Sequence, residues 1–229
     1  KKSKVSGTED SPQVKIRYTR MRAKLFAYLR PYGATRRNYP DSDQTLAARY
    51  ARAIAEFRLS KLDKAIAIMD DLIREYPTDP YFQEMKGQML YENGQIQGAI
   101  ELYSKAAALL PQAPYIRRDL ARAQIDSGDS NHLKRAITNL EVALANDSRS
   151  ARNWRFLAIA HGRSGNLPKS YLALGEEALL LGKSDRARFQ ANRAKKAFAQ
   201  GTREWLQADD ILIAADELER ALKRRKKNK

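Results

Sequence analysis

The sequence predicts an all-α fold built from repeated helical hairpins. Apolar residues recur at intervals of three and four, as on one face of a helix; an example is the series Ala208, Ile211, Ala215, Leu218 and Leu222. Hydrophobic residues make up 43% and charged residues 31% of the 229 residues, while glycine and proline number only 11 and 8. This composition is typical of amphipathic helices that bury one face in a core.

Residues suited to turns recur at a regular spacing. The interval from Ser60 to Gly94 equals that from Gly94 to Gly128, and Gly165 follows after a slightly longer one. The first two intervals match the period of about 34 residues of the tetratricopeptide repeat (TPR), a pair of helices joined by a short turn. We therefore expect a TPR-type helical-hairpin solenoid, a right-handed superhelix with a C-terminal capping helix, and a small insertion in the turn Asp129–Leu133.

Small residues support this alignment. Windows that start at Leu46, Pro80, Pro114 and Ala151 each have a small residue at the eighth place, namely Ala53, Gly87, Ala121 and Ala158. In the first three windows a second small residue falls in the following helix, at Ala65, Ala99 and Ala136. Small side chains at these places allow the two helices of a hairpin to pack closely.

The repeats divide the chain into four parts. We expect an N-terminal connector with one helix over residues 1–45, an array of four to five repeats over 46–199, a capping helix over 200–224 and a disordered basic tail over 225–229. Gly182 follows Gly165 after only half a repeat, which predicts an odd half-repeat: the helix Pro168–Leu181 serves both as the second helix of one hairpin and as the first helix of the next. The chain begins with Lys1 and not Met, so we expect that further residues precede it.

Charge and composition exclude several classes of function. Of the net charge of +16, most lies at the ends: residues 1–45 hold 11 basic and 4 acidic residues, and residues 220–229 hold 7 and none. The nearly neutral repeats argue against nucleic acid as the partner. There is no cysteine, the two histidines fit no zinc motif, and no apolar run reaches the length of a membrane span. We expect no catalytic residue, metal site or cofactor in this chain.

The surface of a TPR array that binds partners is lined by places two, five, nine, twelve and thirteen of each first helix. These places nominate Tyr50, Phe57, Tyr81, Glu84, Gln88, Tyr91, Tyr115, Arg118, Arg122, Arg152, Arg155 and Arg163. We expect a groove that changes from aromatic to basic and binds a protein or peptide segment, with acidic groups of the segment near the arginines. The alternative is that the tyrosines complete the packing and the arginines form a solvated face.

Four stretches give a more specific resemblance. They are RMRAKLFAYL at 20–29, RNYPDSD at 37–43, ARYARAI at 48–54 and PYFQEMKGQML at 80–90. Together they resemble the C-terminal region of BepA-type bacterial zinc metalloproteases, especially those of alphaproteobacteria. The resemblance implies a periplasmic protein whose TPR region presents outer-membrane proteins, or their assembly machinery, to a preceding protease domain that holds the zinc.

No position here matches the catalytic HExxH motif of that family, so no catalytic residue is carried over. A second interpretation stays open at this point: a free-standing TPR scaffold that basic tails tether to nucleic acid or to a membrane.

Overall fold

The computed structural model describes residues 11–227, which form twelve helices and no strand. The chain divides into two compact units, Lys1–Met89 and Leu90–Lys229, and one helix continues across the boundary. The helices are α1 (Pro12–Leu29), α2 (Tyr32–Asn38), α3 (Leu46–Arg58), α4 (Leu62–Glu75), α5 (Pro80–Glu92), α6 (Ile96–Leu109), α7 (Pro114–Asp126), α8 (Ser130–Asn146), α9 (Ala151–Arg163), α10 (Leu167–Leu180), α11 (Ser184–Ala197) and α12 (Arg203–Lys227). The prediction of an all-helical, TPR-type fold is confirmed.

Successive helices pack as hairpins. Within the first unit α3 packs on α4, and within the second unit α7 packs on α8, α9 on α10 and α11 on α12. The predicted contact residues at the eighth place and their partners are buried. In the hairpin of α9 and α10 the partner place is Ser170, whose hydroxyl donates to the carbonyl of Ala158 at 2.8 Å.

The N-terminal segment contains two helices and not the one predicted for the connector. Pro31 has no backbone N–H to continue α1, and the residue before it, Arg30, adopts an extended conformation with ψ of 152°. The chain therefore breaks at this point and restarts as α2. Ala23 and Ala27 of α1 are fully buried and belong to the core of the first unit. Residues 1–10 of the predicted connector lie outside the described residues.

The additional residues lie within Asp129–Leu133, as predicted, but they belong to helix α8 and not to a turn. Three residues separate α7 from α8, as many as separate α5 from α6, but α8 is 17 residues long where α6 has 14. The Asp129 carboxylate accepts hydrogen bonds from the backbone N–H groups of Asn131 and His132, at 2.8 and 2.9 Å. This N-cap starts the helix early, so the extra residues lengthen α8 by about one turn.

Helix α10 packs on both α9 and α11, as the double role predicted for Pro168–Leu181 requires, but the described helices leave no odd half-repeat. Helices α9 and α10 form one hairpin and α11 and α12 form another, so Gly182 marks the turn between two repeats, not a turn within one. Its φ of 69° is in the left-handed region, which glycine adopts without steric cost. Gly165 lies in the turn within one repeat and Gly182 in the turn to the next repeat, so their short spacing is compatible with repeats of full length.

Helix α12 extends to Lys227, past the predicted end of the cap and into the segment expected to be disordered. Basic residues near a helix C-terminus are stabilised by the helix dipole, which favours continuation of the helix. Residues 228 and 229 of the predicted tail lie outside the described residues. Within residues 11–227, none of the helices combines the length and hydropathy that a membrane-spanning helix requires.

Candidate protein-binding surface

In the first unit two groove places of α3 are buried. Tyr50, at the fifth place, is 1% exposed, and Ile54, at the ninth, is fully buried. The Tyr50 ring makes an edge contact with Phe82, with 5.3 Å between ring centroids, and burial raises the pKa of its hydroxyl well above the ordinary value. Tyr50, predicted to contact a partner, is therefore a packing residue in this structure.

Helix α1 covers this surface. Arg20 pairs with Asp79, and its guanidinium carbon lies 3.9 Å from the centre of the Tyr81 ring. Lys24 Nζ lies 3.1 Å from Oε2 of Glu84, which is a buried residue. Tyr81 and Glu84, predicted to face a partner, face a helix of their own chain.

The C-terminal end of α1 is also tied down. Arg58, at the thirteenth place of α3, donates to the carbonyls of Ala27 and Arg30 at 2.6 and 2.8 Å. The Tyr28 hydroxyl lies 3.7 Å from the sulfur of Met85. The two other predicted residues of this unit, Phe57 and Gln88, are half-buried, and Phe57 packs against the core.

Arg20 and Lys24 belong to this surface although the repeat pattern does not identify them, because α1 lies outside the repeats. One sequence signal predicts that α1 packs on the repeats. The small residues Ala23 and Ala27 lie on the face opposite an apolar stripe, and an apolar face on each side of a helix favours a packing partner on each side.

In the second unit four groove residues form a cluster that is open to solvent, on α5, α7 and α9. The Arg122 guanidinium carbon lies 4.3 Å from the centre of the Tyr91 ring, and the Tyr91 hydroxyl donates to Asp126. Arg163 Nη1 donates to the carbonyl of Ile125 at 2.7 Å and lies 3.6 Å from Asp126 Oδ1. Partial burial, and then the hydrogen bond to Asp126, raise the pKa of Tyr91.

The other arginines predicted to line the groove of this unit make contacts of their own or are exposed. Arg155 of α9 lies 3.5 Å from Glu177 Oε2, which is also 4.0 Å from Arg186 of α11. Arg118 donates to the adjacent Asp119 at 2.9 and 3.1 Å. Arg152 is exposed, and Tyr115 is half-buried.

The balance of charge at the groove places of this unit is positive. They hold five arginines, at 118, 122, 152, 155 and 163, and two carboxylates, those of Glu92 and Asp126. Asp119 and Glu177 pair with two of these arginines, Arg118 and Arg155. The side chains of Arg155 and Arg163 are about half exposed, so each guanidinium keeps N–H groups directed to solvent. Such a surface favours an anionic ligand.

The two histidines do not belong to the cluster of Tyr91, Arg122, Asp126 and Arg163. His132 Nδ1 is 2.9 Å from the Ser127 hydroxyl, near the start of α8. His161 is buried in the second unit, and burial, aided by the charge of Lys169, lowers its pKa. Among residues 11–227 no three His, Asp or Glu side chains are grouped as a metal site would require.

The sequence itself matches the tetratricopeptide repeat family over three overlapping segments, residues 32–80, 50–114 and 84–130. A TPR repeat-containing protein of Methanocaldococcus jannaschii is 30% identical over 135 residues, which is 57% of this chain and 23% of that protein. The chain thus spans less than a quarter of this relative. The family match shows TPR repeats over residues 32–130.

Solved structures of MamA share the fold. MamA of Desulfovibrio magneticus RS-1 is 19% identical, with a TM-score of 0.55 over 76% of this chain and 94% of that chain. MamA AMB-1 is 16% identical, with a TM-score of 0.59 over 71% of this chain and 97% of that chain. At this level of identity the likeness extends to the fold alone.

TPR repeats are protein-binding modules, so the class of function is protein–protein interaction. In the first unit the surface that would serve this purpose is covered, and in the second unit it is exposed.

Proposed function

We propose that the exposed first-helix surface of the second unit binds an acidic segment of a partner protein. The observation that supports this is the cluster of Tyr91, Arg122, Asp126 and Arg163, which joins three helices at groove places and is open to solvent. A guanidinium held in place by stacking and by hydrogen bonds binds a carboxylate with less loss of conformational entropy than a mobile one.

Two kinds of contact orient the arginines of the cluster. The Tyr91 ring orients Arg122, and Asp126 together with the Ile125 carbonyl orients Arg163. Both arginines are exposed, so their remaining N–H groups donate to carboxylates of the partner, in pairs where the geometry allows. Arg152 and Arg155 continue the positive charge on α9 and attract acidic segments over a longer range.

The finer proposal is that this chain is the partner-binding part of a periplasmic zinc metalloprotease that acts on outer-membrane proteins or on their assembly machinery. Its support is the resemblance of residues 20–29, 37–43, 48–54 and 80–90 to BepA-type proteases. In this proposal zinc belongs to a protease domain that lies outside this sequence, and the TPR surface delivers the substrate. An HExxH helix encoded upstream of Lys1 is the expected finding, and a start codon near Lys1 would contradict it.

The binding proposal is tested with two labelled synthetic peptides of equal length that share the same apolar residues and carry either glutamate or lysine at the remaining positions. Fluorescence anisotropy is expected to show binding of the glutamate peptide only. The double variant Arg122→Glu with Arg163→Glu is expected to weaken that binding at least tenfold, because two charge-assisted contacts become repulsive.

A matched control is Arg37→Glu with Arg74→Glu, which makes the same charge change at two exposed arginines of the first unit. If it weakens binding as much as Arg122→Glu with Arg163→Glu does, net charge governs the interaction and the proposed surface is wrong. Equal binding of both peptides to the unchanged protein would also contradict the proposal.

A further inference from the structure

Helix α1 has an exposed apolar stripe on the side away from the core. Val14, Tyr18, Met21, Leu25 and Leu29 are between 45% and 76% exposed. Single exposed apolar residues are common, but five on one 18-residue helix form a contiguous patch. Within residues 11–227, the contacts that α1 makes with α3 and α5 leave this patch uncovered.

The five residues form a narrow seam. Their spacings of four, three, four and four place them within a sector of about 80°, since each residue of a helix turns by about 100°. The buried residues Arg20, Ala23 and Ala27 lie on the opposite side of α1. A seam of this width and spacing is the pattern by which one helix packs along another in a coiled coil.

Basic side chains border the seam on both sides. By the same helical geometry Lys15 and Arg22 lie on one flank and Arg17 on the other, where Lys24 also lies but pairs with Glu84. The sequence of α1 contains five basic residues and no acidic residue. In paired helices the flanking positions select the partner by charge, so this seam selects acidic flanks.

We propose that α1 is a docking site for an amphipathic helix of another protein that carries apolar residues at heptad spacing with Asp or Glu beside them. The charge of α1 argues against a second copy, because two α1 helices would bring only like charges together. The width of the seam argues against a membrane surface, because helices that lie in a bilayer interface present a broader apolar face.

The test uses two synthetic peptides of three heptads each, with identical leucine seams, one with glutamate and one with lysine at the flanking positions. Isothermal titration with the full chain is expected to give binding of the glutamate peptide and none of the lysine peptide. Met21→Glu with Leu25→Glu places two charges in the seam and is expected to weaken binding at least tenfold.

A charge exchange gives the sharper result. Arg17→Glu with Arg22→Glu is expected to reverse the preference, so that the lysine peptide binds and the glutamate peptide does not. If the exchange leaves the preference unchanged, the flanks do not select the partner and the proposal fails.

Two control variants separate this surface from others. Ile213→Glu replaces an equally exposed apolar residue of α12 and is expected to leave peptide binding unchanged. Arg122→Glu with Arg163→Glu, which removes the glutamate site proposed for the second unit, is expected to leave the binding that depends on Met21 and Leu25 unchanged. Loss of that binding as well would assign the peptide to the second unit and contradict the proposal. Thermal unfolding of each variant checks that the chain is folded, which is expected because all the substituted side chains are exposed.

The other occupants are outcomes that overturn the proposal. Light scattering that shows a dimer of the unchanged chain, and a monomer of Met21→Glu with Leu25→Glu, would assign the seam to a second copy. Sedimentation with vesicles of phosphatidylglycerol that depends on Met21 and Leu25, together with failure of the glutamate peptide to bind, would assign it to a membrane.

Discussion

The two units use the same helical repeat but differ at the surface that the first helices present. At the ninth place of the repeat the first unit has Ile54, which is buried in one apolar cluster with residues of α1, whereas the second unit has Arg122, which is exposed. At the thirteenth place Arg58 bonds the backbone of α1 and its neighbouring turn, whereas Arg163 lies in an open cluster. Identical places in a repeat therefore serve packing in one unit and, in our proposal, recognition in the other.

This difference has a physical origin in what each surface contacts. An apolar residue at a groove place favours a permanent apolar cover, and the alanines of α1 supply it without bulk. Arginines at groove places keep their charge in water until a ligand of opposite charge arrives. Substitutions at equivalent places should therefore have very different effects in the two units.

The largest expected effect is that of Ile54→Ala. It removes a fully buried side chain beneath α1 and is expected to lower the free energy of unfolding by about 3 kcal/mol, from lost burial and the remaining cavity. Arg122→Ala, at the same place of the second unit, is expected to change it by less than about 0.5 kcal/mol. Urea unfolding followed by circular dichroism measures both, and similar values for the two variants would remove the distinction between the units.

A smaller difference is expected for the arginine pairs. Arg20→Met leaves the carboxylate of Asp79 without its charged partner in a poorly exposed position and is expected to cost about 2 kcal/mol. Arg163→Met breaks a pair with Asp126 that is partly open to water and is expected to cost less than about 1 kcal/mol. The same unfolding measurement applies.

Addition of Asp79→Asn to Arg20→Met is expected to recover part of the loss, because no unpaired charge then remains. If the double variant is as unstable as the single one, the loss comes from the packing of Arg20 on Tyr81 and not from the ion pair.

The smallest expected effect concerns the turns within the hairpins. The first unit has Ser60 at a φ of 59°, where the second unit has Gly94, Gly128 and Gly165 at φ values of 77°, 73° and 81°. Ser60→Gly is expected to stabilise the chain by about 0.5 to 1 kcal/mol, because a side chain is strained in the left-handed region. Gly94→Ser is expected to destabilise it by a similar amount, and thermal unfolding compares the two. Changes of the same sign would show that φ does not govern these turns.

The repeat pattern is sufficient to predict the fold class and the helix pairs. Ala53 and Ala121 are small because two helices approach closely there, and that requirement is local and visible in the spacing. The same pattern does not show that Gly182 lies between two repeats or that the residues after Asp129 are helical. A positive φ suits a turn within or between repeats, and a cap changes the length of a helix without changing the turn before it.

The candidate site is less predictable. Arg122 and Arg163 can be nominated because their places in the repeat decide which way they face. The burial of Tyr50 cannot be predicted in the same way, because it depends on α1, and the repeat pattern does not include that helix. Ion pairs between residues 59 and 60 positions apart, such as Arg20 with Asp79, leave no periodic trace in a sequence.

The length of those connections also affects the order of folding. The hydrogen bond of Asn139 with Gln124, within a hairpin, joins residues 15 positions apart, whereas the contacts that hold α1 to Asp79 and Glu84 join residues 59 and 60 positions apart. Long loops lose more chain entropy on closure, and local contacts form sooner. In the first unit the hairpin of α3 and α4 should therefore form before α1 docks. During synthesis α1 leaves the ribosome before the helices on which it packs. The surface that receives α1 is incomplete until α5 has emerged, so α1 is synthesised before its packing partners but docks after they have formed.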